Sequence, residues 1–169
     1  MTSCADRASR AIGPHGKIDG MSAEPVLTAA ALEPADLRVE RTGTRTYTGR
    51  NSRGAEVRIG PTEAGAVFTP GELLKIALAG CAGMSADAVV ARRLGPDHAA
   101  IVRVTGTNDS AEDRYSHLRT ELVIDLAALE PSARERLLTV VHRAVDESCT
   151  IAHTLTHGAT VDTTITGEH

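Results

Sequence analysis

Two cysteines in the patterned part of the chain, Cys81 and Cys149, are the side chains best suited to covalent chemistry. A thiolate is the reactive form, and an ordinary thiol titrates near pH ~8.5, so a catalytic cysteine needs a neighbour that stabilises its anion. The pair lie 68 positions apart, which is no metal spacing of the CxxC kind. Filling a core as small hydrophobes is the plainer role open to both. Cys81 is set apart by its surroundings. It sits in ALAGCAGMSADAVVARRLG between Gly80 and Gly83, each about 1 kcal/mol worse than alanine inside a helix. Such glycines leave room for a substrate, for the second cysteine or for a partner helix. Cations to activate the thiol are available in Arg45, Arg50, Arg53 and Arg58, whose other reading is a solvated surface. A rival grouping is Cys149, His153 and His157, spaced four apart. On one helix they would share a face and form a metal site. Against it, Thr150, Ile151, Thr154 and Thr156 are β-branched and Gly158 soon breaks the pattern, which favours exposed histidines at a connection. No GxSxG, P-loop or GxGxxG pattern is present.

The elements that must position these residues alternate between strand and helix periods. Residues 1 to 34 are rich in Ala, Ser, Gly and Pro and read as a loosely ordered tail, with Cys4 an incidental thiol and Met21 an alternative start. One domain follows, 35 to 169. LRVERTGTRTYTG and AEVRIG alternate as strands around the turn NSRG. FTPGELLKIALAGCAGMSADAVVARRLGP then takes a helical period, with Thr69 as N-cap, Pro70 at the first position and Gly95-Pro96 as the stop. This helix of roughly 24 residues is apolar nearly all round, which predicts burial. Two strands follow, AAIVRVTGTND and HLRTELVIDLAAL, and a second helix from about Ser132 to Glu147, capped by Ser132 with Glu135. ESCTIAHTLTHG and a closing strand, ATVDTTITG, complete the chain. Hairpins beside helices give an α+β fold.

Composition narrows the function. With 169 residues, 41% hydrophobic and 24% charged, the chain reads as a soluble globular domain that needs no disulfide staples. A net charge of −4 and only three aromatic residues in Tyr and Phe argue against a nucleic-acid surface. No run approaches the ~18 apolar residues of a membrane span, and the first twenty residues carry no secretory pattern. The expected location is therefore the cytoplasm, where cysteines stay reduced.

The two cysteine segments resemble the OsmC/Ohr family. TPGELLKIALAGCAGMSADAV is similar to that family's first motif, close to NPxELLxAALAxCxxM on a central helix, and ESCTIAHTL is similar to the second, near xxCPxSxxL. The resemblance runs from about residue 36 to 167 and extends to the order of elements. It implies an OsmC-like α+β fold: a long buried central helix, antiparallel sheets, a second helix, and an intertwined homodimer with its active site at the subunit interface. It also implies a peroxiredoxin-like organic hydroperoxide reductase without metal or organic cofactor. Cys81 would be the peroxidatic thiolate, Cys149 the resolving thiol, and an external dithiol the reductant. An arginine from the first hairpin would stabilise the thiolate and polarise the peroxide; Gly49-Arg50 fits best, with Arg53 and Arg45 behind it. The apolar setting favours alkyl or lipid-like peroxides.

This chain departs from the pattern at particular positions. The family's carboxylate lies ten residues before the first cysteine, which here is Gly71, while Glu72 lies nine before. On an unbroken helix that puts Glu72 about 14 Å from Cys81 and on the opposite face, so Glu72 would serve through a bent chain or a partner subunit, or act as a carboxylate at the helix N-terminus. Thr150 stands where proline is common. The competing function is a non-catalytic OsmC-like protein that binds a small apolar ligand or partner.

Overall fold

A computed structural model describes residues 37–167; the expected tail, residues 1–34, with Cys4, lies outside them. Two antiparallel strands, β1 (Arg38–Gly43) and β2 (Thr46–Arg50), are joined by a tight turn in which Arg45 takes φ 56°. β2 pairs antiparallel with β3 (Glu56–Ile59). Between them Asn51 Oδ1 accepts the N–H groups of Arg53 and Ala55 at 2.9 and 3.0 Å, the side-chain chemistry that makes NSRG a turn. After a 3₁₀ turn at Thr62–Ala64 the chain enters α1 (Pro70–Leu94).

The start of α1 follows its residue types. Thr69 Oγ1 accepts the Glu72 N–H at 3.2 Å, and Glu72 Oε2 accepts the Thr69 N–H at 2.8 Å, a reciprocal capping box with Pro70 at the first position. Gly95, at φ 96°, closes the helix. Thr69→Ala removes one half of the box and is expected to destabilise the fold by about 1 kcal/mol, read as a lower urea midpoint at unchanged slope; an unchanged midpoint would contradict the cap.

β4 (Ala100–Asp109) and β5 (Arg114–Ile124) form a long antiparallel hairpin. Its turn is held by Asp109 Oδ1, which accepts the N–H of Ala111 at 3.1 Å. α2 (Pro131–Ser148) and α3 (Thr150–His157) follow. A two-stranded ribbon is marginal by itself; here it and α2 both pack on α1. The core is the seam between α1 and α2, where Ala86, Val90, Leu137 and Val141 meet. A second cluster, Leu78, Ala82 and Cys149, lies toward the α2–α3 joint. Gly83 serves this packing: a Cβ there would stand 3.2 Å from the Val102 side chain of β4.

The α+β class, the antiparallel sheets and the long central helix agree with the sequence reading, and several details correct it. The α2 N-cap is Glu130 without a side-chain bond, Pro131 starts the helix, and Ser132 caps nothing; proline at the first position is sufficient. Residues 158–167 form no strand. Among the described residues no strand pairs with them, and Val161 and Ile165 are 84% and 93% exposed. By length and composition α1 is apolar enough to cross a membrane, contrary to the reading above, because its alanines add to its Leu, Ile and Val residues. It packs instead on α2, α3 and β4. Its burial is also one-sided. Leu78, Ala82, Ala86 and Val90 are buried, whereas Ile76 and Met84 are exposed, Met84 at 81%. The Gly80 position faces open space.

Candidate active site

α1 and α3 pack together, and this contact brings Cys81 and Cys149 side by side. Cys149 is the joint between α2 and α3, C-cap of one and N-cap of the other, with φ −80° and ψ 90°. It is fully buried, at 0% exposure. Cys81, partly buried, packs against it together with Ile151 and Ala152. Both thiols are free.

The surroundings push the two thiols in opposite directions. Cys81 is held below the usual thiol range, first by the Ile151 backbone N–H, against an opposing effect of burial, and then by the Cys149 thiol and the Thr150 N–H. Cys149 is pushed up, first by burial; the Ala152 N–H offsets part of this, and proximity to Cys81 raises it further. Two neighbouring thiols driven apart in this way suit separate roles, one as an anion and one as a neutral proton-bearing partner. A testable consequence concerns pH. A lowered value means that the thiolate survives to lower pH, so Cys81 should alkylate at neutral pH well ahead of Cys149. Iodoacetamide labelling mapped by mass spectrometry across pH 5 to 10 checks this. Coincident midpoints for the two residues would contradict it.

The other sequence-nominated residues are placed differently. Arg50 lies on β2, partly buried. Its Nε is 2.9 Å from Glu56 Oε1 without hydrogen-bond alignment, and its Nη1 donates to Glu40 Oε2 at 3.3 Å. Arg45 and Arg53 sit in exposed turns. Within one chain none of these arginines contributes to the lowering at Cys81. The sheet β1–β3 makes little contact with α1, α2 or the β4–β5 hairpin. Glu72 is engaged in the α1 cap, and its carboxyl is held below the ordinary range first by the Thr69 N–H. The histidine grouping does not converge. Cys149 is buried against Cys81, while His153 and His157 are exposed, with ring nitrogens 2.7 Å from Asp146 O and 2.9 Å from His153 O. Among the described residues no cluster of three metal-ligating side chains forms.

Sequence reading missed two sets of partners. Glu40 and Glu56 are the carboxylates that hold Arg50; the signal available was the strand register, which sets Glu56 directly opposite Arg50. The Thr150 and Ile151 amides at Cys81 had no side-chain signal at all. A groove starts one helical turn from the sulfurs. It is an open cavity of about 440 Å³ lined by Leu78, Tyr115, Leu118, Ala152 and Leu155, with His117 and Thr156 at its polar side. Neither sulfur lines it.

Comparison with known proteins decides the ancestry. The model of the OsmC-like protein family matches residues 61–164, a span that holds both cysteines. The chain belongs to the OsmC-like family. Among its relatives are uncharacterized protein Rv2923c of Mycobacterium tuberculosis and uncharacterized protein Mb2948c of Mycobacterium bovis. Each is 51% identical over 126 residues, covering 75% of this chain and 92% of the relative. In fold, this OsmC-like chain is similar to the OsmC-like protein from Mycoplasma pneumoniae, at TM-score 0.56 and 14% identity over 72% of this chain and 86% of that one. A hypothetical protein from Aquifex aeolicus VF5 is comparable, at TM-score 0.56 and 16% identity over 75% and 91%. The family and the α+β OsmC-like chain fold implied by the two cysteine motifs are thus borne out.

Proposed function

We propose that this OsmC-like protein is a thiol-dependent peroxidase that reduces organic hydroperoxides, with Cys81 as nucleophile and Cys149 as resolving thiol. The observation that carries the reading is the meeting of two distant cysteines with opposed acidities, one partly accessible and one fully buried. The Cys81 thiolate attacks the distal oxygen of ROOH. An S–O bond forms as O–O breaks, and the departing alkoxide takes a proton and leaves as the alcohol. Cys81 becomes a sulfenic acid. Cys149 then gives up its proton and attacks that sulfur. The S–S bond forms, the S–O bond breaks, and hydroxide leaves as water. An external dithiol reduces the disulfide by exchange and is itself oxidised to a disulfide. This cycle belongs in a reducing compartment such as the cytoplasm, where dithiols are supplied.

Apolar substrate is supported by the leucine-lined groove one helical turn from the sulfurs, where an alkyl chain gains about 0.8 kcal/mol per buried CH₂. A homodimer is supported by what one chain leaves uncovered. Ile76 and Met84 on α1, and Leu37 and Val39 beside the β1–β3 sheet, are exposed, and that sheet has little to rest on in its own chain. In an intertwined pair, Arg50 of the partner subunit, steadied by its carboxylates, would orient the peroxide. Glu72 keeps a place in the proposal only at such an interface.

The test is consumption of cumene hydroperoxide by the reduced full chain with a dithiol. Turnover that exceeds turnover of hydrogen peroxide is expected. No consumption, with both thiols still titratable after peroxide, would leave the non-catalytic reading, a protein whose groove binds an apolar ligand.

A further inference from the structure

We infer that Tyr115 is a specificity-determining residue: its ring closes the far end of the leucine-lined groove and so limits the length of hydrocarbon chain that can lie between it and the cysteine pair. The inference deepens the proposed function and rests on its reading of that groove as the place of the substrate's alkyl chain.

The groove extends from Leu78, one turn before Cys81 on α1, to Tyr115. The Tyr115 hydroxyl lies against Gly71, where a Cβ would overlap it. Gly71 precedes Cys81 by ten residues, about 15 Å of helix. Past the ring, at the start of α1, is a larger open cavity of about 930 Å³. The two cavities share Tyr115, Leu118 and Leu155 as a wall. They differ in charge. Among the described residues no Lys, Arg, Asp or Glu lines the first, whereas Lys75, Asp113 and Arg114 line the second. Tyr115 therefore stands where the uncharged groove ends.

Several departures from regular structure serve this one ring. His117 pairs with Thr107 but Tyr115 pairs with Asn108, so Ser116 is an extra residue on β5. Side chains alternate along a strand, and this bulge returns Tyr115 to the face that holds Leu118 and its partner Gly106. Gly106 makes room there: a Cβ would stand 3.0 Å from the ring and 2.7 Å from Leu118. From the α1 side, Lys75 Nζ sits 5.0 Å from the ring centroid, a cation–π contact. A ring held from both α1 and β4 is a fixed stop, not a side chain that yields to a longer ligand.

The experiment titrates the reduced, isotope-labelled full chain with primary n-alkanols from butanol to decanol and reads the Leu118 and Leu155 amide resonances. In the unaltered protein the dissociation constant should fall roughly fourfold per CH₂ and then level off, where the chain end meets the ring. In Tyr115→Ala the levelling should move to longer chains, with decanol bound about tenfold more tightly than by the unaltered protein and butanol bound equally. Tyr115→Phe, which keeps the ring, should match the unaltered protein. Tyr115→Leu, measured alongside, should shift in the same direction as alanine, so the inference does not hang on the folding of one variant. An unchanged length profile in the alanine and leucine variants, an equal loss at every length, or no alkanol-dependent shift in any protein would overturn the inference. No peroxide enters the titration. The expected profile in a protein that consumes no cumene hydroperoxide refutes the peroxidase and leaves Tyr115 as the stop of an apolar-ligand groove. Turnover with an unchanged profile refutes the role of Tyr115 alone.

Discussion

Cys81→Ser is expected to abolish the proposed dithiol-dependent consumption of cumene hydroperoxide, to the level of a reaction without protein. The hydroxyl that replaces the thiol sits among the same amides, but it does not ionise in the accessible pH range and cannot accept the peroxide oxygen as a sulfenic acid. Cys149→Ser behaves differently. One equivalent of peroxide is consumed, and then Cys81 halts as a sulfenic acid that dimedone traps, because the buried thiol that should displace the hydroxide is gone. The two variants separate the roles by chemistry rather than by degree. Equal residual turnover in both, or full activity in Cys81→Ser, would remove the basis for the proposed function.

Met84→Glu is expected to convert the proposed homodimer to a monomer. Met84 is 81% exposed in the isolated chain, so the substitution leaves the core between α1 and α2 untouched. Against a second α1 or a partner sheet it would bury an unpaired carboxylate, which costs several kcal/mol. Light scattering should give the unaltered protein a mass near twice 17.7 kDa and the variant one chain mass. Peroxide consumption should fall alongside, because Arg50 is held on a sheet with little purchase on its own chain. A variant that remains dimeric, or an unaltered protein that is monomeric, would refute the intertwined arrangement.

How far the sequence could be read follows the kind of signal each feature leaves. α1 was legible to its ends, because Thr69, Pro70, Glu72 and Gly95 are local instructions. The strands were legible from alternation and from the turn residue Asn51. That Cys81 meets Cys149 was legible only through motif resemblance, since nothing in a 68-residue separation specifies contact. The all-round burial predicted for α1 holds on one face only, because periodicity reports that a surface is apolar and not which chain covers it. The closing strand fails for a related reason: alternation in 159–167 supplies a face, and no strand among the described residues pairs with it. Arg50 was chosen for its type, yet in one chain its charge is taken by Glu40 and Glu56. The donors at Cys81 are main-chain amides, which every residue but proline carries, so they left no mark except Thr150 in place of proline.

In the proposed cycle, two sulfurs on α1 and at the α2–α3 joint form one redox pair. The most direct measurement adds one equivalent of an organic hydroperoxide to the reduced full chain and maps the cysteines by mass spectrometry. The expected product is a Cys81–Cys149 disulfide, two mass units lighter than the dithiol and reversed by an external dithiol. Peptides recovered with both thiols intact, or Cys81 driven to sulfinic acid with no disulfide formed, would contradict it.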